Sequence, residues 1–397
     1  MRRRTHYTLS CKSVSRCAVG WLVRALGWTS QVARVGPELL VHLLVRAAAE
    51  MRSLSAIARQ AHGAPTLETV RQALLKYLPS RPEDLMPATT RALHSRLPKS
   101  LRKRPRTMAI DWHLRPYYGT PRTPGIYFAQ AKASTRVFFA YASLLVIRRG
   151  QTFTVGLVPV AAGAEQTAVI AQLLDQAKQV GLRVRRLLLD RGFYAATTIQ
   201  WLQEHGLGFI MPMIKRGKSG RTQTDCTGTA GFFRPRRRGW SSYTWTARPR
   251  RGGRKAIAPV TVAVCMAARP KGRGKNKGPL VYACHQVRCT PEEVRKLYRK
   301  RFRIETSYRQ LGEGLAATCS RNRVYRFLLV AIALMLRNLW VWLHWTMLAD
   351  KTAEGRRLRL DKLPLRQMTY WLMQALNQDL GIKLRVLTSC PQLANGE

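Results

Sequence analysis

The spacing of apolar positions along the chain changes near residue 100. Before this point apolar side chains recur at helical spacing, as in PELLVHLLVRAAAEM. The stretch SLSAIARQAHGAPTLETVRQALLKYL predicts two short helices around a break at Gly63 to Pro65, and Thr66 is the predicted N-cap of the second helix. We therefore predict a helical N-terminal domain over residues 1–100.

The two short helices of this domain allow two interpretations. They are joined by a turn that contains glycine, and they carry the cations Arg52, Arg59, Arg71 and Lys76. This arrangement fits a helix-turn-helix that reads DNA in the major groove. It fits a helical bundle with solvated basic faces equally well, so both interpretations stay open.

After a basic linker at 97–106, the pattern becomes that of short strands, which are the runs TMAID, GIYFAQAKAS, TRVFFAYASLLVIRRG and TFTVGLVPV. A helix at 164–181, a buried strand at 184–190, a second helix and a buried strand at 209–214 follow. Antiparallel strands followed by alternating helices and parallel strands predict an α/β fold with a mixed sheet flanked by helices. By analogy with known topologies, this is the order of the ribonuclease H-like fold, with residues 107–214 as the first part of its core.

The rest of the chain divides into three further regions. Residues 215–288 are strand-like and very basic, which predicts a β-rich insertion. Helical spacing resumes over 289–348, where Thr290 as N-cap, Pro291 and Glu293 predict a capping box. Residues 349–397 are predicted to be a C-terminal helical region. The apolar face of LPLRQMTYWLMQALNQDLG could pair with another subunit, as in a dimer, or with the helix at 327–348.

The charge of the chain points to a polyanionic partner. Its 69 Lys and Arg residues against 20 Asp and Glu give a formal net charge of +49, which favours nucleic acid as the partner. Arg337, Asn338 and His344 interrupt the apolar stretch at 327–348, so we predict a buried core helix and no membrane association. Because the N-terminus lacks the pattern of a secretory signal, we expect a cytoplasmic, nucleoid-associated protein.

Three carboxylates are notable in so cationic a chain. Asp111 and Asp190 are predicted to end apolar strands, where an unpaired charge is costly. Glu305 lies in a predicted helix whose positions Tyr298, Arg301, Glu305 and Arg309 share one face. The simplest interpretation is that each carboxylate pairs with an arginine. The alternative is a catalytic metal site.

Phosphoryl transfer on DNA supplies a reason for such carboxylates. Two Asp and one Glu offer the hard oxygen ligands that Mg²⁺ prefers, and two ions are expected, with Mn²⁺ as a substitute. Arg301 and Arg309 would hold the substrate phosphates near this negative cluster, and Tyr298 would offer its ring to a displaced base. Further phosphate contacts are predicted for the exposed basic segments of the insertion, at Arg236, Arg237, Arg238, Lys271, Arg273, Lys275 and Lys277.

Three sequence blocks resemble the catalytic blocks of DDE transposases: MAIDWHLRPYYG, LLLDRGFY, and the segment with Tyr298, Arg301 and Glu305. The spacing of the last block is similar to the Y-R-E-K pattern of insertion-sequence transposases, except that Gly312 occupies the position of the Lys. The resemblance implies that Asp111, Asp190 and Glu305 are catalytic metal ligands. It also implies a cut-and-paste reaction on double-stranded DNA, at element ends and target, and a homodimer in the active complex.

Two other functions remain open at this point. The net charge of +49 would equally suit a non-catalytic, architectural DNA-binding protein, although that function gives no reason for the three carboxylates. A ribonuclease H-like nuclease without strand transfer would use the same residues. It would differ in leaving its 3′-OH ends unjoined to target DNA.

Overall fold

The computed structural model describes residues 8–29, 35–60, 65–149, 151–218, 226–245, 259–269, 278–352 and 355–381, without the side chains of 306–309, 351 and 355. The chain divides into two compact units. The first consists of Met1–Ala92, Gln310–Trp340 and Arg359–Glu397, and the second of Leu93–Arg309 and Val341–Leu358. Each unit therefore joins segments that are distant in the sequence, whereas the sequence analysis divided the chain into consecutive regions.

The helices are α1 Cys11–Leu26, α2 Pro37–Glu50, α3 Leu54–Ala58, α4 Leu67–Tyr77, α5 Pro82–His94, α6 Gln166–Gln179, α7 Ala196–Glu204, α8 Pro291–Arg299, α9 Phe302–Leu311, α10 Arg323–Leu343 and α11 Leu365–Asp379. The strands are β1 Arg106–Pro116, β2 Tyr127–Lys132, β3 Thr135–Val146, β4 Thr154–Val160, β5 Val184–Leu189, β6 Phe209–Pro212, β7 Gly239–Trp245, β8 Val260–Ala267, β9 Leu280–His285, β10 Asp350–Thr352 and β11 Gly355–Arg357.

The first unit is helical, and its core lies where α1, α2 and α11 pack together. The central helix is α2, whose Leu40, Leu43 and Leu44 side chains are fully buried. Leucines three and four positions apart lie on one helix face, so a single amphipathic helix can pack against two neighbours. The predicted cap of α4 is confirmed, since the Thr66 side chain accepts a hydrogen bond from the Thr69 amide.

The apolar helix predicted at 327–348 begins at Arg323 and is continued by a π-helical turn over His344–Leu348. It is the one described helix that is long and apolar enough to span a bilayer, and 94% of its apolar window is buried inside the protein. Its Arg337 and Asn338 side chains are buried as well. These values agree with the prediction of a buried core helix.

The second unit is built on a nine-stranded mixed sheet. Its strand order is β2-β3-β1-β5-β6-β9-β8-β7, with β4 also paired to β3. β1 is antiparallel to β3 and parallel to β5, and β5 is parallel to β6. The order β4-β3-β1-β5-β6, with α6 and α7 in the crossovers, agrees with the predicted ribonuclease H-like fold.

The strands of the insertion extend this same sheet. β9 pairs antiparallel with β6, and β8 and β7 follow in turn. A core cluster that includes Leu188 of β5, Ile210 of β6, Cys284 of β9 and Tyr298 of α8 spans the junction. The insertion therefore shares its backbone hydrogen bonds and its hydrophobic core with the strands that precede it.

The structure corrects the predicted end of the first strand. β1 continues through Trp112 to Pro116, so Asp111 lies in the middle of the strand, opposite Ser143 of β3. The segment after Asp111 alternates larger apolar and polar residues, which is the period of a strand with one buried face. Pairing with β3 extends this strand beyond its apolar half.

Candidate active site

Asp111 is the most buried of the three carboxylates, because its side chain is only 12% exposed. Its Oδ1 accepts a hydrogen bond from the Trp112 amide at 2.9 Å, and its Oδ2 lies 3.3 Å from Nη1 of Arg301. The strand thus holds one carboxylate oxygen and leaves the other facing the guanidinium.

Asp190 follows the carboxyl end of β5, which is parallel to β1 and adjacent to it. Its Oδ1 accepts a hydrogen bond from the Arg191 amide at 2.7 Å and lies 2.9 Å from Nη2 of Arg301. The side chain is 39% exposed. Because β1 and β5 are adjacent and run in the same direction, residues 111 and 190 lie next to each other in the sheet.

Glu305 reaches the same place from a helix, but not from the single helix that the sequence analysis predicted. The chain forms α8 and α9 with a break at Lys300 and Arg301, so that Tyr298, Arg301 and Glu305 are not on one continuous helix. At the break, the Arg301 amide bonds to the carbonyl of Tyr298 and the Ile304 amide to that of Arg301, in tight turns between residues three apart.

The guanidinium of Arg301 is the point on which the three carboxylates converge. Besides Asp111 and Asp190, it meets Glu305, whose Oε1 lies 3.6 Å from Nη1. The Arg301 side chain is 8% exposed, while that of Glu305 is 45% exposed. One buried cation is thus shared by carboxylates from a central strand, the end of its neighbour and a helix.

Tyr298 fixes the orientation of this arginine. Its hydroxyl accepts a hydrogen bond from Nε of Arg301 at 3.0 Å and donates one to the carbonyl of Leu189 at 3.2 Å. Its ring packs against that of Tyr282 at 5.0 Å and is 8% exposed. The prediction that this ring is presented to a displaced base is therefore wrong, because the ring lies in the core.

Burial dominates the electrostatics of the cluster. Desolvation raises the pKa of Asp111 to about 6, against the opposing effect of Arg301, and raises the pKa of Tyr298 to about 12. Burial alone would lower the pKa of Arg301, but Tyr298, Asp111 and Asp190 together raise it above its usual value. Arg301 therefore stays charged, while the ionised form of Asp111 needs nearby positive charge.

The chemistry of the donor set fits a divalent cation. Carboxylate oxygens are the ligands that Mg²⁺ and Mn²⁺ prefer, and here three of them surround a single positive charge. Among the described residues, no three His, Cys, Asp or Glu side chains are arranged as a ready metal site. Instead, the guanidinium of Arg301 lies between these carboxylates.

The other predicted DNA contacts lie elsewhere or outside the described residues. Arg236, Arg237 and Arg238 form the turn before β7, where Arg236 and Arg238 are exposed. Lys271, Arg273, Lys275 and Lys277 fall outside the described residues, as does the side chain of Arg309. Gly312 begins a 3₁₀ turn, Gly312–Gly314, that follows α9.

Sequence reasoning missed the residues that support Asp190. The ring of Trp112 stacks on that of Phe193 at 5.3 Å, and Nε2 of Gln166 donates to the carbonyl of Gly192 at 2.8 Å. Oε1 of Gln166 in turn accepts a hydrogen bond from Thr198 at 3.1 Å. An available signal was the polar Gln166 at the first position of α6, but its partner is 26 residues away.

Comparison with solved structures finds a similar fold in a piggyBac transposase, solved by cryo-EM as a synaptic complex with hairpin DNA. The TM-score is 0.51 with 11% sequence identity, over 99% of this chain and 85% of that one. At this identity the likeness concerns the fold alone. No curated protein sequence matches the chain.

More than half of the chain matches one protein family. The family model described as Transposase DDE domain matches residues 102–339, which is more than half of the 397 residues. The match includes Asp111, Asp190 and the segment from Tyr298 to Glu305. The chain therefore belongs to the Transposase DDE domain family.

Proposed function

We propose that this protein cuts DNA at the ends of a mobile element and joins the freed 3′-OH to target DNA, with Asp111, Asp190 and Glu305 as its catalytic metal ligands. The observation that carries the proposal is the convergence of these three carboxylates on the guanidinium of Arg301, at 2.9 to 3.6 Å. Membership of the Transposase DDE domain family supports the same function.

The sharing of one guanidinium distinguishes this site from an ordinary ion pair. Among the described ion pairs, all three carboxylates meet Arg301, and Asp111 is held in a buried position where its charge is costly. A chain with 69 Lys and Arg residues does not lack cations to neutralise such a cluster. A cluster that remains rich in carboxylate oxygen is suited to binding additional positive charge.

The residues of the site divide into ligands and supports. Asp111, Asp190 and Glu305 would hold Mg²⁺ or Mn²⁺, and such ions activate an attacking oxygen and stabilise the leaving oxygen in phosphoryl transfer. Arg301 reduces the repulsion between these carboxylates and a DNA phosphate, and Tyr298 keeps its guanidinium in place. Gln166 and Trp112 hold the turn that follows Asp190.

We further propose that the chain belongs to the Y-R-E-K group, since Tyr298, Arg301 and Glu305 are joined by direct contacts. The fourth residue of that pattern is replaced by Gly312, which has no charged side chain to offer. The function of the missing lysine then has to come from another cation. The proposed partners are double-stranded DNA at the element ends and the target, bound by a homodimer in the nucleoid.

The test is to incubate the protein with DNA that carries its own element ends, target DNA and Mg²⁺, and to map every cut and joined product. Asp190→Asn should abolish cleavage and leave DNA affinity equal or slightly higher, because it removes a metal ligand and a negative charge near phosphate. The matched control is Asp175→Asn on α6, an exposed aspartate in the same unit, which should cleave like the wild type.

Each result separates the candidate functions. Cleavage without joined products would identify a nuclease that lacks strand transfer. Binding without cleavage by the wild-type protein would support an architectural role. Undiminished cleavage by Asp190→Asn would show that this aspartate is a salt-bridge partner of Arg301 and not a metal ligand.

A further inference from the structure

A cluster of cations, separate from the carboxylate cluster, lies at the end of β5 opposite to Asp190. It is formed by the linker that precedes β1 and by the residues next to it, which are Arg102, Lys103, Arg104, Arg106, Arg148 and Arg183. We propose that this linker surface binds the phosphate backbone of duplex DNA at a place separate from the carboxylate cluster. The choice of DNA as its partner rests on the proposed function.

Sheet topology brings the linker surface together. β3, β1 and β5 are neighbours, with Met108 of β1 opposite Val146 of β3 and Arg106 opposite Val184 of β5. Arg148 follows the end of β3, Arg106 begins β1, and Arg183 precedes β5. Three adjacent strands thus place an arginine at the same end of the sheet.

Two of these arginines converge on one backbone oxygen. The Arg106 guanidinium donates to the carbonyl of Ser100 through Nη2, and to that of Leu101 at 3.0 Å. Nη1 of Arg148 lies 3.4 Å from the same Ser100 carbonyl oxygen and 3.3 Å from the Ser100 hydroxyl. The two cations are held close together by neutral oxygens, which orient them without cancelling their charge.

The linker adds exposed cations around this pair. Arg102, Lys103 and Arg104 are exposed, and so is Arg183, whose Nη2 donates to the carbonyl of Lys103 at 3.3 Å. In the part of the chain that the structure describes, no side chain of the linker surface forms an ion pair with Asp or Glu. Some exposed arginines of the other unit, such as Arg71 and Arg81, are by contrast paired with Glu68 and Asp84.

The close approach of Arg104, Arg106 and Arg148 favours the binding of a negatively charged partner. Burial, followed by the proximity of Arg148 and Arg104, lowers the pKa of Arg106. A carboxylate of this chain would have relieved the repulsion, but none is paired there among the described residues. A DNA backbone presents closely spaced phosphates, and guanidinium groups bind phosphate in two-point contacts.

The linker surface lies far from the carboxylate cluster of Asp111, Asp190 and Glu305. Arg183 and Asp190 flank the six residues of β5 at opposite ends, so seven steps at the rise of a β-strand place them roughly 23 Å apart. That distance corresponds to about seven base pairs of duplex. The phosphates bound here are therefore not the ones that the carboxylates act on, and the surface can hold flanking duplex or a second DNA segment.

The test is a salt titration of DNA binding by the full-length protein, without Mg²⁺ so that no cleavage occurs. The probe is a fluorescent duplex of random sequence, and the variant is Arg102→Gln with Arg104→Gln and Arg183→Gln. These side chains are exposed, so the fold should be retained. The slope of log affinity against log salt should become shallower by about 2 to 3, since each phosphate contact contributes about 0.9.

Two matched variants make the result specific. The same three positions changed to Lys should keep the wild-type slope, because the slope counts charges. Neutralising the exposed Lys12, Arg16 and Arg24 of α1 removes the same charge from the other unit and should also leave the slope unchanged. An unchanged slope in the linker variant, or an equal loss in the α1 variant, would overturn the proposal. Neither result depends on catalysis, so both are independent of the test of strand transfer.

Discussion

The hydroxyl of Tyr298 donates a hydrogen bond at 3.2 Å to the backbone carbonyl of Leu189, the residue immediately before Asp190. The same hydroxyl accepts a bond from Nε of Arg301 at 3.0 Å. One phenol oxygen therefore connects the end of β5 to the arginine that all three carboxylates share. Loss of this single atom should disturb both sides of the site.

Tyr298→Phe tests this connection. The change removes the hydrogen bond to the Leu189 carbonyl and the one from the buried Arg301 guanidinium, and we expect the free energy of unfolding to fall by about 1 to 3 kcal/mol. Cleavage should fall as well, because Arg301 loses its orientation. Urea unfolding and single-turnover cleavage measure the two effects. The control is Tyr370→Phe, which removes an exposed hydroxyl and should change stability by less than about 0.5 kcal/mol.

Arg301→Lys tests whether the site needs the planar shape of the Arg301 guanidinium or only its positive charge. Lysine keeps the positive charge but lacks the planar fork that contacts Asp111 through one nitrogen and Asp190 through the other. We expect DNA binding to survive better than cleavage, with the loss of one charged hydrogen bond costing about 1.5 to 3 kcal/mol. Cleavage at the wild-type rate with saturating DNA would show that charge alone suffices.

Gln166→Glu tests the support of the turn after Asp190. A carboxylate is nearly the same shape as the amide but cannot donate to the carbonyl of Gly192, so the turn over Arg191–Phe193 should loosen. We expect faster hydrogen exchange at the Phe193 and Tyr194 amides and slower cleavage. Gln172→Glu, an exposed change on the same helix, is the matched control for the added charge. If both variants behave alike, the effect is electrostatic and not one of positioning.

The hairpin between β2 and β3 offers a prediction about stability alone. Lys132 pairs with Thr135, and the two residues between them, Ala133 and Ser134, have φ angles of 50° and 60°. Two positive φ angles define a type I′ turn, which favours Asn-Gly. Ala133→Asn with Ser134→Gly should therefore stabilise the protein by about 1 kcal/mol. Thermal unfolding measures the gain, and a lower melting temperature would contradict the assignment of strain to this turn.

The fold was predictable because local patterns and tertiary structure agree in most elements. The short apolar run before Asp190 forms the predicted core strand, and Thr290 with Glu293 forms the capping box that the sequence predicted. The break at Arg301 was not predictable in this way, because both sides of it have helical spacing. It coincides with the burial of the Arg301 guanidinium against Asp111 and Asp190, which lie far away in the sequence.

The site was only partly predictable for a similar reason. A strand-like apolar run and scarce carboxylates point to Asp111 and Asp190, since each is unusual where it stands. The support from Gln166 and Trp112 depends on contacts between elements that no periodicity reveals. The burial of Tyr298 likewise depends on Tyr282 of β9, a strand of the insertion.

The pairing of β9 with β6 has a consequence for the modularity of this protein. If residues 215–288 were excised and the ends rejoined, β6 would become an edge strand with a row of unpaired backbone groups. Its residues Phe209, Ile210 and Met211 are fully buried and apolar. The exposed edge would therefore be hydrophobic and could pair with a strand of another chain. We expect the shortened protein to aggregate rather than to remain folded as a smaller α/β core. The insertion thus protects the edge of β6 from self-association, a function that does not depend on any contact of its basic segments with DNA.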